Sequence, residues 1–216
     1  MGIAERLERE REQRRKTILN AAKKLFFRKG LENTTMDEIA ENAELSKGTL
    51  YLYFQSKEIL AISIIKEISD LMNKDLRKAA DTGKNGIERI KDVTQALTDF
   101  FKKRRKEFQF FKYMDVVAAS LGSENDIFMH WKSGVEEIIH VVLEIVIEGI
   151  EDGSIRRDIE PDKAAFVYSN MVLSFLIRLS NDHGVILMDQ ELTEDEIIES
   201  MFKMIIIMLE PRSLGK

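Results

Sequence analysis

Apolar residues recur at Ile18, Ala22, Leu25 and Phe26, one face of an amphipathic helix that Gly30 ends. Residues 5–16 lack that periodicity and alternate in charge. Glu5/Arg9, Glu10/Arg14 and Glu12/Lys16 stand four apart, which predicts a solvated helix leading into the first. Thr35-Met-Asp-Glu38 has the capping-box pattern and starts a short helix carrying Ile39 and Ala40. Ser46 and then Ser56 are N-cap residues for two more. Beyond residue 60 only long helical patterns follow, predicted over 56–80, 86–105, 107–120, 124–151, 161–182 and 193–210. Their breaks are Gly83 to Gly86, Gly122-Ser123, Asp152-Gly153 through Glu160, and His183-Gly184. Pro161 suits a first helical position, and Thr193 to Glu196 repeats the capping box. The expectation is an all-α chain of about nine helices, cut into domains 1–60 and 61–216 with no flexible linker between them.

Composition sharpens this picture. Two prolines in 216 residues, with 44% hydrophobic and 33% charged residues, fit a helical globular protein with a real core. The absence of cysteine removes disulfides, thiolate metal sites and cysteine nucleophiles. The net charge of −5 divides unevenly: residues 1–60 hold 12 basic and 10 acidic side chains, and the remainder is acidic. That sign suits a nucleic-acid-binding head on an acidic body. No secretory signal is read at the N-terminus, and the apolar tract 164–179 is too short for a membrane span, which takes about 20 residues. A cytoplasmic protein with no membrane partner is expected.

Residues 35–54 have the spacing of a helix-turn-helix. Ile39, Ala43, Leu45, Leu50 and Tyr53 face inward and small Ala40 lets the helices approach, leaving Lys47, Thr49 and Tyr51 for a major groove. The residues Thr34-Thr-Met-Asp-Glu-Ile-Ala40, Leu45-Ser-Lys-Gly-Thr-Leu-Tyr-Leu-Tyr-Phe54 and Gln55-Ser-Lys-Glu58 closely resemble the DNA-binding head of the TetR family of regulators. The break from Glu148 to Ile155 is similar to that family as well. The resemblance implies that Thr35 caps the first helix of the motif near a phosphate. It implies that Lys47, Gly48 and Thr49 open the recognition helix, that Tyr51 and Tyr53 flank the DNA backbone, and that Lys57 holds a phosphate. Glu44 departs from the pattern, standing in the turn where the family often has glycine.

Two segments of the body read as apolar nearly all round and must be buried. Phe166, Val172 and Phe175 in 161–182, with Ile198, Phe202, Ile205 and Leu209 in 193–210, are the expected interface of a homodimer matching a palindromic operator. Phe101, Phe108, Phe111, Met114, Phe128, Trp131 and Phe175 are core residues or the lining of an effector cavity. The run Lys102 to Lys106 reads as a solvated helix end or an anion site. His130, His140 and His183 lack metal-ligand spacing, and no phosphate-binding or nucleophile-elbow motif occurs, so neither an enzyme nor a cofactor or metal is expected. The reading is a repressor released from double-stranded operator DNA by a small apolar or amphipathic effector. Its alternative is a helical ligand-binding or interaction protein that no longer binds DNA.

Overall fold

The computed structural model describes residues 2–122, 125–181 and 192–211. Among them are ten α-helices, a 3-10 turn and no strand. They are α1 (Ile3–Lys29), α2 (Met36–Asn42), α3 (Lys47–Tyr53), α4 (Lys57–Ala80), α5 (Gly86–Lys103), α6 (Arg105–Gln109), a 3-10 turn (Phe110–Tyr113), α7 (Met114–Leu121), α8 (Asp126–Asp152), α9 (Pro161–Ser180) and α10 (Glu194–Leu209). The expected all-α class with an N-terminal helix-turn-helix is what forms. The single helix predicted over 107–120 is instead broken into α6, the 3-10 turn and α7. Phe108, Phe110, Phe111 and Tyr113 are all buried, and one regular helix cannot turn four such closely spaced rings inward. His183 and Gly184 lie outside the described residues, as does Ser123.

By packing, the chain forms two compact units, 1–68 with 110–131 and 69–109 with 132–216. Helix α4 runs unbroken through the first boundary. In the first unit, Ile18, Leu25 and Phe26 of α1, Ile39 of α2, Leu50 of α3 and Leu60 and Ile64 of α4 are buried together with Phe110 and Val117. The Phe110 ring stacks on Phe26 at 5.7 Å and meets Phe27 and Tyr113 edge-on at 5.5 and 5.2 Å. The Tyr113 hydroxyl accepts from the Leu31 N–H at 3.4 Å and donates to Glu32 at 3.2 Å. The sequence pattern places one cut near residue 60, whereas packing assigns this mid-chain aromatic segment to the N-terminal unit.

In the second unit, α5, α9 and α10 surround a core of Ile90, Leu97, Phe101, Val172, Leu176 and Ile205. Glycine is required where α5 meets α8. A Cβ on Gly86 would stand 2.3 Å from the Gly149 Cα, and one on Gly149 would stand 2.6 Å from Ile155. The turn after α8 then caps α5: Asp152 accepts from the Gly86 N–H at 2.9 Å and the Ser154 hydroxyl from the Ile87 N–H at 3.1 Å. The segment 148–155 is therefore a helix end built around one close crossing.

Candidate nucleic-acid interface

Thr35 stands at the N-cap of α2. Its hydroxyl accepts from the Glu38 N–H at 3.3 Å and donates to the Glu38 carboxylate at 2.9 Å, which also accepts the Thr35 N–H at 2.9 Å. Lys29 closes on the same carboxylate at 2.5 Å, and these donors hold Glu38 well below the ordinary carboxylate range, at about 2. The start of the motif is thus tied to the end of α1.

The turn between α2 and α3 is a Schellman motif. Leu45 N–H donates to the Ala40 carbonyl at 2.9 Å and Glu44 N–H to Glu41 at 3.1 Å, with Glu44 left-handed at φ +56°. The strain that the sequence flags at this position is present. A non-glycine residue in this region costs about 1–2 kcal/mol, less the greater chain entropy that glycine loses on folding. We expect Glu44→Gly to raise the stability of the N-terminal unit by about 1 kcal/mol, read as a higher melting temperature. A lower melting temperature would mean the Glu44 side chain contributes more than its strained backbone costs.

Helix α3 opens at Ser46, whose Oγ accepts from the Thr49 N–H at 3.1 Å and lies 2.8 Å from the Thr49 hydroxyl. Lys47 pairs with Asp37 at 2.7 Å; both are exposed, and the carboxylate raises the lysine above its ordinary pKa. Leu50 is buried and Tyr53 half-buried, while Lys47, Gly48, Tyr51 and Leu52 are open. Leu52 was missed by the sequence reading although it is 84% exposed. Its signal was an apolar residue out of register with Leu50. Around Gly48 the nearest atom to an added Cβ is Ser46 Oγ at 4.0 Å, so nothing within the chain demands glycine there. Beneath α3 the Arg15 guanidinium lies 4.6 Å from the centre of the buried Phe54 ring.

Lys57 is not held as expected. Its ammonium donates to the carbonyls of Leu31 at 3.0 Å, Glu32 at 3.3 Å and Thr34 at 3.4 Å. All three donors are spent on the loop between α1 and α2, so the side chain fastens that loop to α4 rather than standing free for a phosphate.

The body residues divide differently from expectation. Val172, Ile198, Ile205 and Leu209 are buried within the chain itself and Phe175 and Phe202 are half-buried, so they serve its own core. Of the expected interface only Phe166 is open. It stands with Val167 and Met171 on α9, and α10 leaves Met204, Ile207 and Met208 exposed. A cleft of about 280 Å³ between these helices is lined by Val167, Met171 and Met208 among others.

The expected pocket residues are divided between the two units. Phe101 and Phe108 pack edge to face at 5.5 Å in the second unit, Phe111, Met114 and Phe128 belong to the first, and the Trp131 side chain lies outside the described residues. Neither the α9–α10 cleft nor one beside Phe202 includes Phe101, Phe108 or Phe175. In the basic run, Lys102 pairs with Asp195, and Arg105 pairs with Glu194 at 2.6 Å and donates to the Leu179 carbonyl at 2.9 Å. Both side chains hold the start of α10. Among the described residues no cluster of acidic or histidine side chains is arranged for a metal, and no helix is long and apolar enough to cross a membrane.

Residues 18–64 match the profile of the bacterial regulatory proteins of the tetR family. The chain is 27% identical over 176 residues to the uncharacterised HTH-type transcriptional regulator YhgD of Bacillus subtilis, covering 79% of this chain and 86% of that protein. It is 28% identical over 149 residues to the HTH-type transcriptional repressor KstR2 of Mycolicibacterium smegmatis, covering 69% and 71%. Among solved structures, the ketosteroid transcriptional regulator KstR2 of Mycobacterium tuberculosis superposes with a TM-score of 0.67 at 19% identity, over 92% of this chain and 96% of that one. AibR in complex with isovaleryl coenzyme A and operator DNA gives 0.66 at 24% identity, over 88% and 97%. At these identities the structural likeness is one of fold.

Proposed function

This chain belongs to the tetR family of bacterial regulatory proteins, and from that premise we propose that it is a homodimeric transcriptional repressor released from operator DNA by a small molecule. The observation that carries the reading is the open face of α3, where Lys47, Gly48 and Tyr51 stand exposed on a helix fixed by caps at both turns. In the proposed division, residues 1–60 bind DNA and 61–216 bind effector and partner. The protein works in the cytoplasm and catalyses no reaction. The effector is apolar or amphipathic, and an acyl thioester is the first class to try, because AibR was crystallised with one. Phe101 and Phe108 are closed on each other, so an effector reaching them must first part that pair.

Selection of bound fragments from sheared genomic DNA tests the reading. The expected product is an inverted repeat whose half-sites lie about 34–36 Å apart, one turn of the duplex. Recovery of no enriched sequence would leave the ligand-binding or interaction protein as the better account.

Gly48 gives a sharper test. Alanine there meets no neighbour and is the better helix former by about 0.5–1 kcal/mol, so Gly48→Ala should leave the melting temperature unchanged or raise it. Operator affinity should fall at least about tenfold, because the added methyl stands where the DNA backbone must approach. Undiminished affinity would remove α3 from the interface.

A further inference from the structure

Helix α1 begins fifteen residues before the segment that matches the family, and residues 3–17 extend it by about 22 Å. All of them are exposed except Arg15, which is half-buried over Phe54. A helical arm that packs on so little is held by continuity with the packed part of α1, which spares it the cost of nucleation.

Its charges are sorted by face. Glu5, Glu8 and Glu12 follow one another at three- and four-residue steps and share one stripe, while Arg6, Arg9, Gln13 and Thr17 share another. Arg9, Glu10, Gln13, Arg14 and Thr17 line an open cleft of about 540 Å³ with Leu45, the residue before the N-cap of α3. Of the ion pairs expected from spacing, Glu12/Lys16 forms at 4.0 Å, and the other two do not. Glu5 turns back to the Gly2 N–H at 3.1 Å, and Glu10 pairs with Arg6 at 3.1 Å. Arg9 and Arg14 are left without a carboxylate partner among the described residues.

We propose that this cleft is a second DNA contact, in which Arg9 and Arg14 grip phosphates of the duplex beside the site entered by α3. The inference rests on the reading of α3 as a DNA-binding helix. Guanidinium groups offer planar paired donors that match phosphate oxygens; the stripe of Glu5, Glu8 and Glu12 lies outside the cleft, and the one carboxylate that lines it, Glu10, is paired with Arg6. The cleft is open, and Leu45 makes it continuous with the start of α3. Such contacts add affinity and register without reading sequence.

The full chain is titrated with salt against a mixed-sequence 30-bp duplex, alongside the double variant Arg9→Ala/Arg14→Ala. Removing one phosphate-neutralising side chain lowers the slope of log affinity against log salt by about 0.9, so the variant's slope should be shallower by about 1.8 for each head engaged, and by about 3.6 for a homodimer with both heads on the duplex. Between 50 and 200 mM salt its affinity then falls about twelvefold less than that of the parent chain with one head engaged, and about 150-fold less with both. Arg9→Lys/Arg14→Lys should keep the parent slope, since the charge remains. An unchanged slope in the alanine variant, with a parent chain that binds, would overturn the arm and leave the α3 reading standing. A changed sequence preference at constant slope would overturn it as well. A parent chain showing no salt-dependent binding would remove both readings together.

Discussion

Ile207→Glu should yield a folded monomer that has lost tight binding to a two-half-site operator. Ile207 is 70% exposed on α10, beside Met204 and Met208, and α9 presents Phe166, Val167 and Met171. Apolar faces of this kind are seldom left to water, and a second copy that covers them brings the two heads together on one duplex. A carboxylate buried in that interface without a partner costs several kcal/mol, enough to undo a hydrophobic association. Two linked heads bind more tightly than one by about 10²–10⁴-fold, so the monomer should lose affinity on that scale while its single head still engages DNA. Ile205→Glu supplies the contrast. Ile205 is buried inside the chain, so a charge there should lower the melting temperature steeply instead of dividing an intact dimer. Sedimentation and thermal melting separate the two results. A dimeric Ile207→Glu protein would place the second copy on a different surface.

Phe110→Ala should destabilise the N-terminal unit by about 3–5 kcal/mol, the range for truncating a large buried aromatic ring. The ring touches Phe26, Phe27 and Tyr113, and its removal leaves a void against the last turn of α1. That turn leads through Leu31 and Glu32, which the Tyr113 hydroxyl and the Lys57 ammonium both hold, to the cap of α2. DNA binding should therefore vanish at temperatures where the helices of the second unit persist, and circular dichroism should show two transitions. Phe110→Leu keeps most of the volume and should cost much less. If Phe110→Ala melted within about 1 kcal/mol of the parent, the 3-10 segment would have no structural part in the head.

Much of this fold can be read directly from the residues. The capping boxes at Thr35 and Thr193, the N-cap at Ser46, the stop at Gly30 and Pro161 at the start of α9 all act locally, so spacing alone reveals them. The inward face of α9 and α10 was not legible, because a helix apolar all round gives no sign of which side meets its own chain and which meets water. The placement of Lys57 was hidden for another reason. Its partners are backbone carbonyls, which every residue carries and no sequence marks. Arg9 and Arg14 looked neutralised by glutamates four residues earlier, but each glutamate had a second partner within reach and took it. Local rules locate elements; choices among equivalent partners are made by the whole fold.

The N-terminal unit is discontinuous along the chain, and this governs the order in which it can be made. Residues 1–68 emerge first, yet Phe110 and Tyr113, which fill the end of α1, follow some forty residues later. At about 5–20 residues per second, the growing chain waits roughly 2–8 s before its helix-turn-helix can close over those rings. Throughout that interval Phe26 and Phe27 lack the partner that covers them in the finished protein. A fragment ending at residue 68 would remain in that unfinished state, so the DNA-binding head matures only once the middle of the chain has been synthesised.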